Sequence, residues 1–93
     1  MYIEYDDRFI EKYLAIYDFI ASDSINRANI FENNLKETIR TITHFPYKHR
    51  QSIYFDREDI RDLVFMGYTL PFKIDEDNNR IIIISIVKYQ KEI

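Results

Sequence analysis

The sequence predicts an α+β fold in which an N-terminal strand and an antiparallel helix hairpin pack on one face of a three- to four-stranded antiparallel sheet. Three observations lead to this prediction. Apolar residues recur every three to four positions in the first half of the chain, they alternate with polar residues in much of the second half, and one glycine and two prolines are the strong breaks. The 93 residues, 46% hydrophobic and 31% charged, suit one globular domain, which we place at residues 1–93.

The first predicted elements are a short strand and a helix. The side chains of residues 2–5 follow an alternating pattern, which favours a short strand. Asp6 and Asp7 are typical helix-start residues because their carboxylates accept hydrogen bonds from free backbone N–H groups. Steps of one, three and four residues then separate the apolar positions of the first helix, which are Phe9, Ile10, Tyr13, Leu14, Ile16, Tyr17 and Ile20.

A second helix follows after a short connection. Residues 22–24 interrupt the apolar pattern and offer a new N-cap. The helical period then resumes at Ala28, Phe31, Leu35, Ile39, Ile42 and Phe45. The helix is predicted to end before Pro46, because a residue that precedes proline resists the α conformation. A connection this short predicts that the two helices run antiparallel.

The spacing changes to that of strands after Pro46. Ile53 and Phe55 alternate with the more polar Ser52 and Tyr54, which predicts a strand at residues 52–55. Residues 59–66 form a further strand candidate. Gly67 can supply the positive φ of a turn. We therefore expect a hairpin that turns at this glycine.

The last two predicted strands occupy residues 68–74 and 81–87. Pro71 cannot donate to a strand ladder, so the earlier strand is expected to be an edge or to be bulged there. Residues 81–87 are almost wholly apolar and predict a central strand buried on both faces. With the helices on one face, we expect the other face to be partly open and to carry Thr69 and Lys73.

Composition excludes several classes of function. Without cysteine there are no disulfides or thiolate metal sites, and His44 and His49 are too few for a convincing zinc or haem site, so we expect no cofactor and no metal. No apolar run approaches the ~18 residues of a membrane span, and the acidic N-terminus is unlike a signal peptide, which predicts a cytoplasmic protein. The net charge of −3 disfavours nucleic-acid binding, although the second half of the chain holds eight of the 13 basic residues.

The pattern of the second half resembles the ParE/RelE toxin superfamily. The matching features are Phe45 and Pro46 at the end of the helix hairpin, the basic residues 48–50, and the strand sequences at 60–64 and 67–75. An apolar final strand and a short basic tail complete the resemblance, which covers nearly the whole chain.

This resemblance implies a toxin of a type II toxin–antitoxin pair. Such toxins are neutralised by a cognate antitoxin that wraps them, so a toxin–antitoxin hetero-oligomer is expected. ParE-like members act on DNA gyrase, whereas RelE-like members enter the ribosomal A site and cleave mRNA. A third possibility is a relative that is not toxic and acts only as a binding module.

The resemblance is closer to ParE than to RelE. Thr69 stands where an arginine is common in RelE-like toxins, Tyr89 stands where another arginine would suit, and no histidine follows the last strand. If the chain were a RelE-like ribonuclease, its catalytic residues would come from Arg57, Arg61, Lys73, Lys88 and Tyr89.

For either target, the resemblance implies a set of target-binding residues, namely Lys48, Arg50, Arg61, Lys73, Lys88, Tyr89 and Lys91. All of them except Lys73 have a simpler structural explanation. Cations are favourable near a helix C-terminus, which suits Lys48 and Arg50. Arg61 can pair with Asp59 or Asp62, and a basic tail can protect a sheet edge from aggregation.

Overall fold

The predicted α+β fold is confirmed in the computed structural model, which describes residues 1–88. The helices are α1 (Asp7–Asp23) and α2 (Ile25–Thr41), followed by a short 3-10 helix (Pro46–Lys48). The strands are β1 (Tyr2–Tyr5), β2 (Ile60–Phe65), β3 (Tyr68–Asp75), β4 (Arg80–Ile83) and β5 (Val87–Lys88).

The two helices form the predicted hairpin with a single linking residue. The side chain of Asp6 caps α1 by accepting a hydrogen bond from the Arg8 N–H at 2.8 Å. Ser24 ends α1 and also caps α2, since its Oγ accepts a hydrogen bond from the Arg27 N–H at 3.1 Å. Because the connection is one residue that caps both helices, the helices stay close together and pack antiparallel against each other.

The sheet has the strand order β1-β4-β3-β2, with β5 also paired to β3. β2, β3 and β4 are antiparallel, as predicted. β1 adds a parallel pairing with β4, which the sequence did not predict. Parallel pairing needs a long crossover, and the helix hairpin and the β2–β3 hairpin together provide one.

Pro71 lies opposite a bulge rather than on an edge strand. β3 is central, and between the pairs Phe72–Ile83 and Thr69–Val87 the last strand has three residues where β3 has two. The proline carbonyl still accepts a hydrogen bond of 2.8 Å from the first of these three residues. The predicted strand at 81–87 is therefore divided into β4 and β5 by a bulge beside the residue that cannot donate.

The core lies between the helices and one face of the sheet. α2 contributes most of the helical part, because it packs directly on the strands. The buried apolar residues that form one cluster are Phe9, Phe31, Leu35, Ile39, Ile42, Leu63, Phe65, Leu70, Phe72, Ile74, Ile81, Ile83 and Ile86.

The strand predicted at residues 52–55 is wrong. Gln51 forms one bridge with Arg61, and the chain then turns over the outer face of β2. The Ile53 N–H donates to the Asp62 carboxylate at 3.0 Å, so this segment is held by a side chain and cannot extend the ladder.

The outer face of the sheet is less open than predicted. Thr69 is fully buried and Lys73 is half-buried. At its far end, Arg80 bridges Glu4 on β1 and Asp75 on β3, both at 2.7 Å. This ion cluster and the turn over β2 cover part of the outer face of the sheet, which the two helices on the opposite face leave exposed.

Phe45 was predicted to continue the apolar stripe of α2, and this prediction is also wrong. α2 ends at Thr41, and Ile42 is the last buried residue of its stripe. The chain then turns away from the core, so that Phe45 is 72% exposed.

Candidate partner-binding surfaces

An apolar groove of about 250 Å³ lies between α1 and α2, and we call it the helix groove. Its walls are almost entirely apolar. The lining residues are Tyr5, Phe9, Ile10, Tyr13, Leu14, Glu32, Leu35, Lys36 and Ile39.

The helix groove exists because α1 has a wider apolar stripe than α2 can cover. Phe9 is buried, but Ile10 is 42% exposed and Leu14 is 51% exposed. These two residues lie one helical turn apart on the same face of α1. Exposed neighbouring apolar side chains of this size favour contact with a second apolar surface.

The rim of the groove carries one polar network. The Tyr13 hydroxyl is buried and makes no hydrogen bond within residues 1–88. Burial raises the pKa of Tyr13, and the nearby Glu32 carboxylate raises it further. Lys36 lies 2.9 Å from Glu32, and its hydrogen bond holds the pKa of Glu32 below the usual value. The groove therefore joins an apolar floor to a charged rim.

Two of the predicted cationic residues are engaged by carboxylates of the chain itself. The Arg57 guanidinium binds both oxygens of Asp59, at 2.9 and 2.7 Å. Arg50 lies 3.5 Å from the carboxylate of Asp62, whose side chain is fully buried. These contacts leave each guanidinium less able to bind another anion.

Arg61 binds backbone carbonyls instead of carboxylates. Its Nε donates to the Glu58 carbonyl at 2.9 Å and its Nη1 donates to the His49 carbonyl at 3.2 Å. The guanidinium also lies 5.1 Å from the centroid of the Tyr47 ring, which is a cation–π contact. Arg61 thus joins the segment that precedes β2 to the strand itself.

Lys73 lies in a polar depression of about 310 Å³ that is rich in acid. The other lining residues are Tyr47, Asp59, Ile74, Asp75, Glu76 and Asp77. Four carboxylates lie around this ammonium, and two of them are already paired with Arg57 and Arg80.

The predicted residues divide between two ends of the sheet. Lys73 pairs with Ile60 at the start of β2, close to Asp59 and its partner Arg57. Lys88 pairs with Tyr68, five residues away along β3, which is roughly 17 Å. Lys48 is exposed on the 3-10 helix, and Tyr89 and Lys91 lie outside the described residues. Within residues 1–88 the predicted ribonuclease set does not converge on one site.

Two further properties concern metal ions and membranes. Within residues 1–88, no group of three His, Asp or Glu side chains is placed to hold a metal ion. Neither α1 nor α2 has the length and apolar character needed to cross a bilayer.

Comparison with known proteins decides the family. The model of the ParE toxin of the type II toxin–antitoxin system parDE matches residues 3–93. The chain belongs to the ParE toxin family. It is therefore a toxin-type component of a type II toxin–antitoxin module.

Solved structures of both branches share the fold of this ParE-family chain. The chromosomal ParDE system of P. aeruginosa superposes with a TM-score of 0.75 at 15% identity, covering 97% of each chain. The isolated E. coli RelE toxin gives a TM-score of 0.69 at 13% identity, covering 98% of this chain and 86% of RelE. The toxin in the intact E. coli RelBE complex gives 0.64 at 14% identity, covering 97% and 98%. No curated protein sequence matches the chain.

Proposed function

We propose that this ParE-family chain inhibits DNA gyrase by binding to it, and that a cognate antitoxin neutralises the chain. The observation that carries the first part is the state of the candidate catalytic cations. Phosphoryl cleavage needs cations that are free to stabilise charge on the transition-state phosphate. Arg57 is instead bound by Asp59, and Lys73 shares its depression with four carboxylates. Inhibition by binding to the surface of a target does not require several free cations at one site.

The second part is supported by the helix groove. An apolar groove between two helices, with a charged rim at Glu32 and Lys36, suits the apolar face of an amphipathic helix. We infer that a helical segment of the antitoxin occupies this groove.

The proposed target is tested with purified gyrase and relaxed plasmid. The chain is expected to abolish supercoiling, and an equimolar amount of the antitoxin is expected to restore it. The same preparation is added to a translating extract, where mRNA is expected to stay intact.

Arg57→Ala is the matched variant for this assay. It removes an exposed ion pair, so the stability of the fold should change by less than about 1 kcal/mol. Gyrase inhibition is expected to persist in this variant.

Codon-phased mRNA cuts that disappear with Arg57→Ala, together with intact supercoiling, would assign the RelE-like ribonuclease function instead. Antitoxin binding without either activity would leave a binding module that is not toxic.

A further inference from the structure

The turn between α2 and β2 exposes aromatic and basic side chains together. We call residues 44–48 the aromatic–basic turn. Phe45 is 72% exposed, Tyr47 is 46% exposed and Lys48 is exposed beside them. Shallow depressions lie on both sides of Phe45, lined by His44 and Lys48. Two protruding rings next to a cation have the composition of interaction hot spots in protein interfaces.

This turn is held in place rather than loose. The Lys48 N–H donates to the Phe45 carbonyl at 3.0 Å and closes the 3-10 helix. Arg61 contacts the face of Tyr47 and binds the His49 carbonyl. The ring of His49 packs edge-on against the buried Phe72, with the centroids 5.4 Å apart. The backbone of the turn and the Tyr47 ring are thus held in place, which lowers the entropy lost when a partner binds.

The turn also lies in the longest part of the sequence that lacks acid. Residues 38–55 contain no Asp or Glu and three basic residues, which are Arg40, Lys48 and Arg50. The other 75 residues carry ten basic and sixteen acidic side chains. Lys48 in particular has no acidic residue within seven positions of it along the chain, so its charge is not offset by a sequence neighbour.

The charges next to the turn favour a polypeptide over a nucleic acid. Tyr47 borders the aromatic–basic turn on one side and the depression with Asp59, Asp75 and Glu76 on the other. A phosphate backbone that continued from the turn into this depression would meet carboxylates, and Glu76 among them has no ion pair within residues 1–88. A polypeptide can place acid beside Lys48 and other residues beside the carboxylates.

We propose that the aromatic–basic turn is the surface with which the toxin binds its macromolecular target, and that the target presents a polypeptide segment with an apolar side chain next to carboxylates. Phe45 packs against the apolar side chain, and Lys48 pairs with the acid. Arg61 is a positioning residue that holds Tyr47 and the turn. This inference rests on the proposed function, because it names the contact surface of that inhibitor.

The test uses Phe45→Ala and Lys48→Glu in the full chain. Phe19→Ala and Lys12→Glu are the matched controls, since Phe19 is 80% exposed at the far end of α1 and Lys12 is exposed on the same helix. All four changes affect exposed side chains, so thermal unfolding should stay close to that of the unchanged protein. Antitoxin binding should also be unchanged, because the helix groove is lined by other residues.

The main readout is growth arrest after induction without antitoxin, which reports toxicity for any target. Phe45→Ala and Lys48→Glu are each expected to relieve the arrest and to raise the half-inhibitory concentration in the gyrase assay about ten-fold or more. Both controls are expected to remain toxic. Arrest by the unchanged chain without gyrase inhibition would refute the proposed target, while loss of arrest in the two turn variants would still support the turn as the contact surface.

Three results would overturn the inference. The first is full toxicity of both turn variants, and the second is absence of toxicity in the unchanged chain. The third is binding of a fluorescent single-stranded oligonucleotide that Phe45→Ala and Lys48→Glu both abolish, because it would make the partner a nucleic acid.

Discussion

Helices α1 and α2 are each 17 residues long and both amphipathic, yet they are buried to different extents. α2 lies against the sheet and fully buries Ala28, Phe31, Leu35 and Ile39. α1 packs on α2, fully buries Phe9 and leaves much of its apolar stripe at the surface. The difference makes α2 the helix that stabilises the fold, while α1 keeps large apolar side chains at the surface.

The largest expected effect is the difference in unfolding free energy between one substitution in α2 and one in α1. Leu35 is 2% exposed, so Leu35→Ala should lower the free energy of unfolding by about 2–5 kcal/mol. Leu14 is 51% exposed, so Leu14→Ala should lower it by less than about 1 kcal/mol. Urea unfolding followed by circular dichroism measures both values.

Leu14→Ala should nevertheless weaken antitoxin binding about ten-fold, because Leu14 lines the helix groove. Phe19→Ala is the control, since Phe19 is exposed on α1 but does not line the groove. Equal antitoxin affinity in the Leu14 and Phe19 variants would mean that the groove is not the antitoxin site.

Local spacing was sufficient to predict both helices and the β2–β3 hairpin. The caps at Asp6 and Ser24 and the turn at Gly67 are also local signals, since each depends on residues within a few positions. The parallel pairing of β1 with β4 joins residues about 80 apart, and no local pattern specifies it. The presence of Pro71 predicted either an edge strand or a bulge. Which of the two forms depends on the pairing of the neighbouring strand, and the structure has the bulge.

The candidate surfaces were harder to predict because exposure depends on packing. Phe45 continued the helical spacing of α2, but the polar residues at 41, 43 and 44 ended the helix before it. The lack of acid in residues 38–55 was visible in the sequence and is the signal that could have identified the aromatic–basic turn. The engagement of Arg57 by Asp59 required the structure, since in the sequence Asp59 lies two residues from both Arg57 and Arg61.

A smaller change in stability is expected when either of two tyrosines that lie one turn apart on α1 is replaced by phenylalanine. The Tyr17 hydroxyl donates to the Asn29 Oδ1 across the hairpin at 2.7 Å, so Tyr17→Phe should cost about 0.5–1.5 kcal/mol. The buried Tyr13 hydroxyl makes no hydrogen bond within residues 1–88, so Tyr13→Phe should leave stability unchanged or raise it slightly. Thermal unfolding of both variants under one buffer checks the order. A loss in Tyr13→Phe equal to that in Tyr17→Phe would show that the Tyr13 hydroxyl is satisfied in solution.

The smallest effect concerns pH and the rim of the helix groove. The hydrogen bond from Lys36 lowers the pKa of Glu32 below its ordinary value of 4.5, so the ionised carboxylate favours the folded state. This contribution is present above the ordinary pKa and is lost as the pH falls through the lowered one.

Glu32→Gln should therefore be less stable than the unchanged chain at pH 7, by up to about 0.5 kcal/mol for a pair of this spacing on a helix. The difference should disappear as the pH falls through the lowered pKa, because the carboxylate is then protonated in both folded and unfolded chains. Lys36→Met supplies the control, because removing the cation should reduce the effect of Glu32→Gln at pH 7. A difference that persists unchanged as the pH is lowered would mean that Glu32 stabilises α2 by packing against Tyr13 rather than by charge.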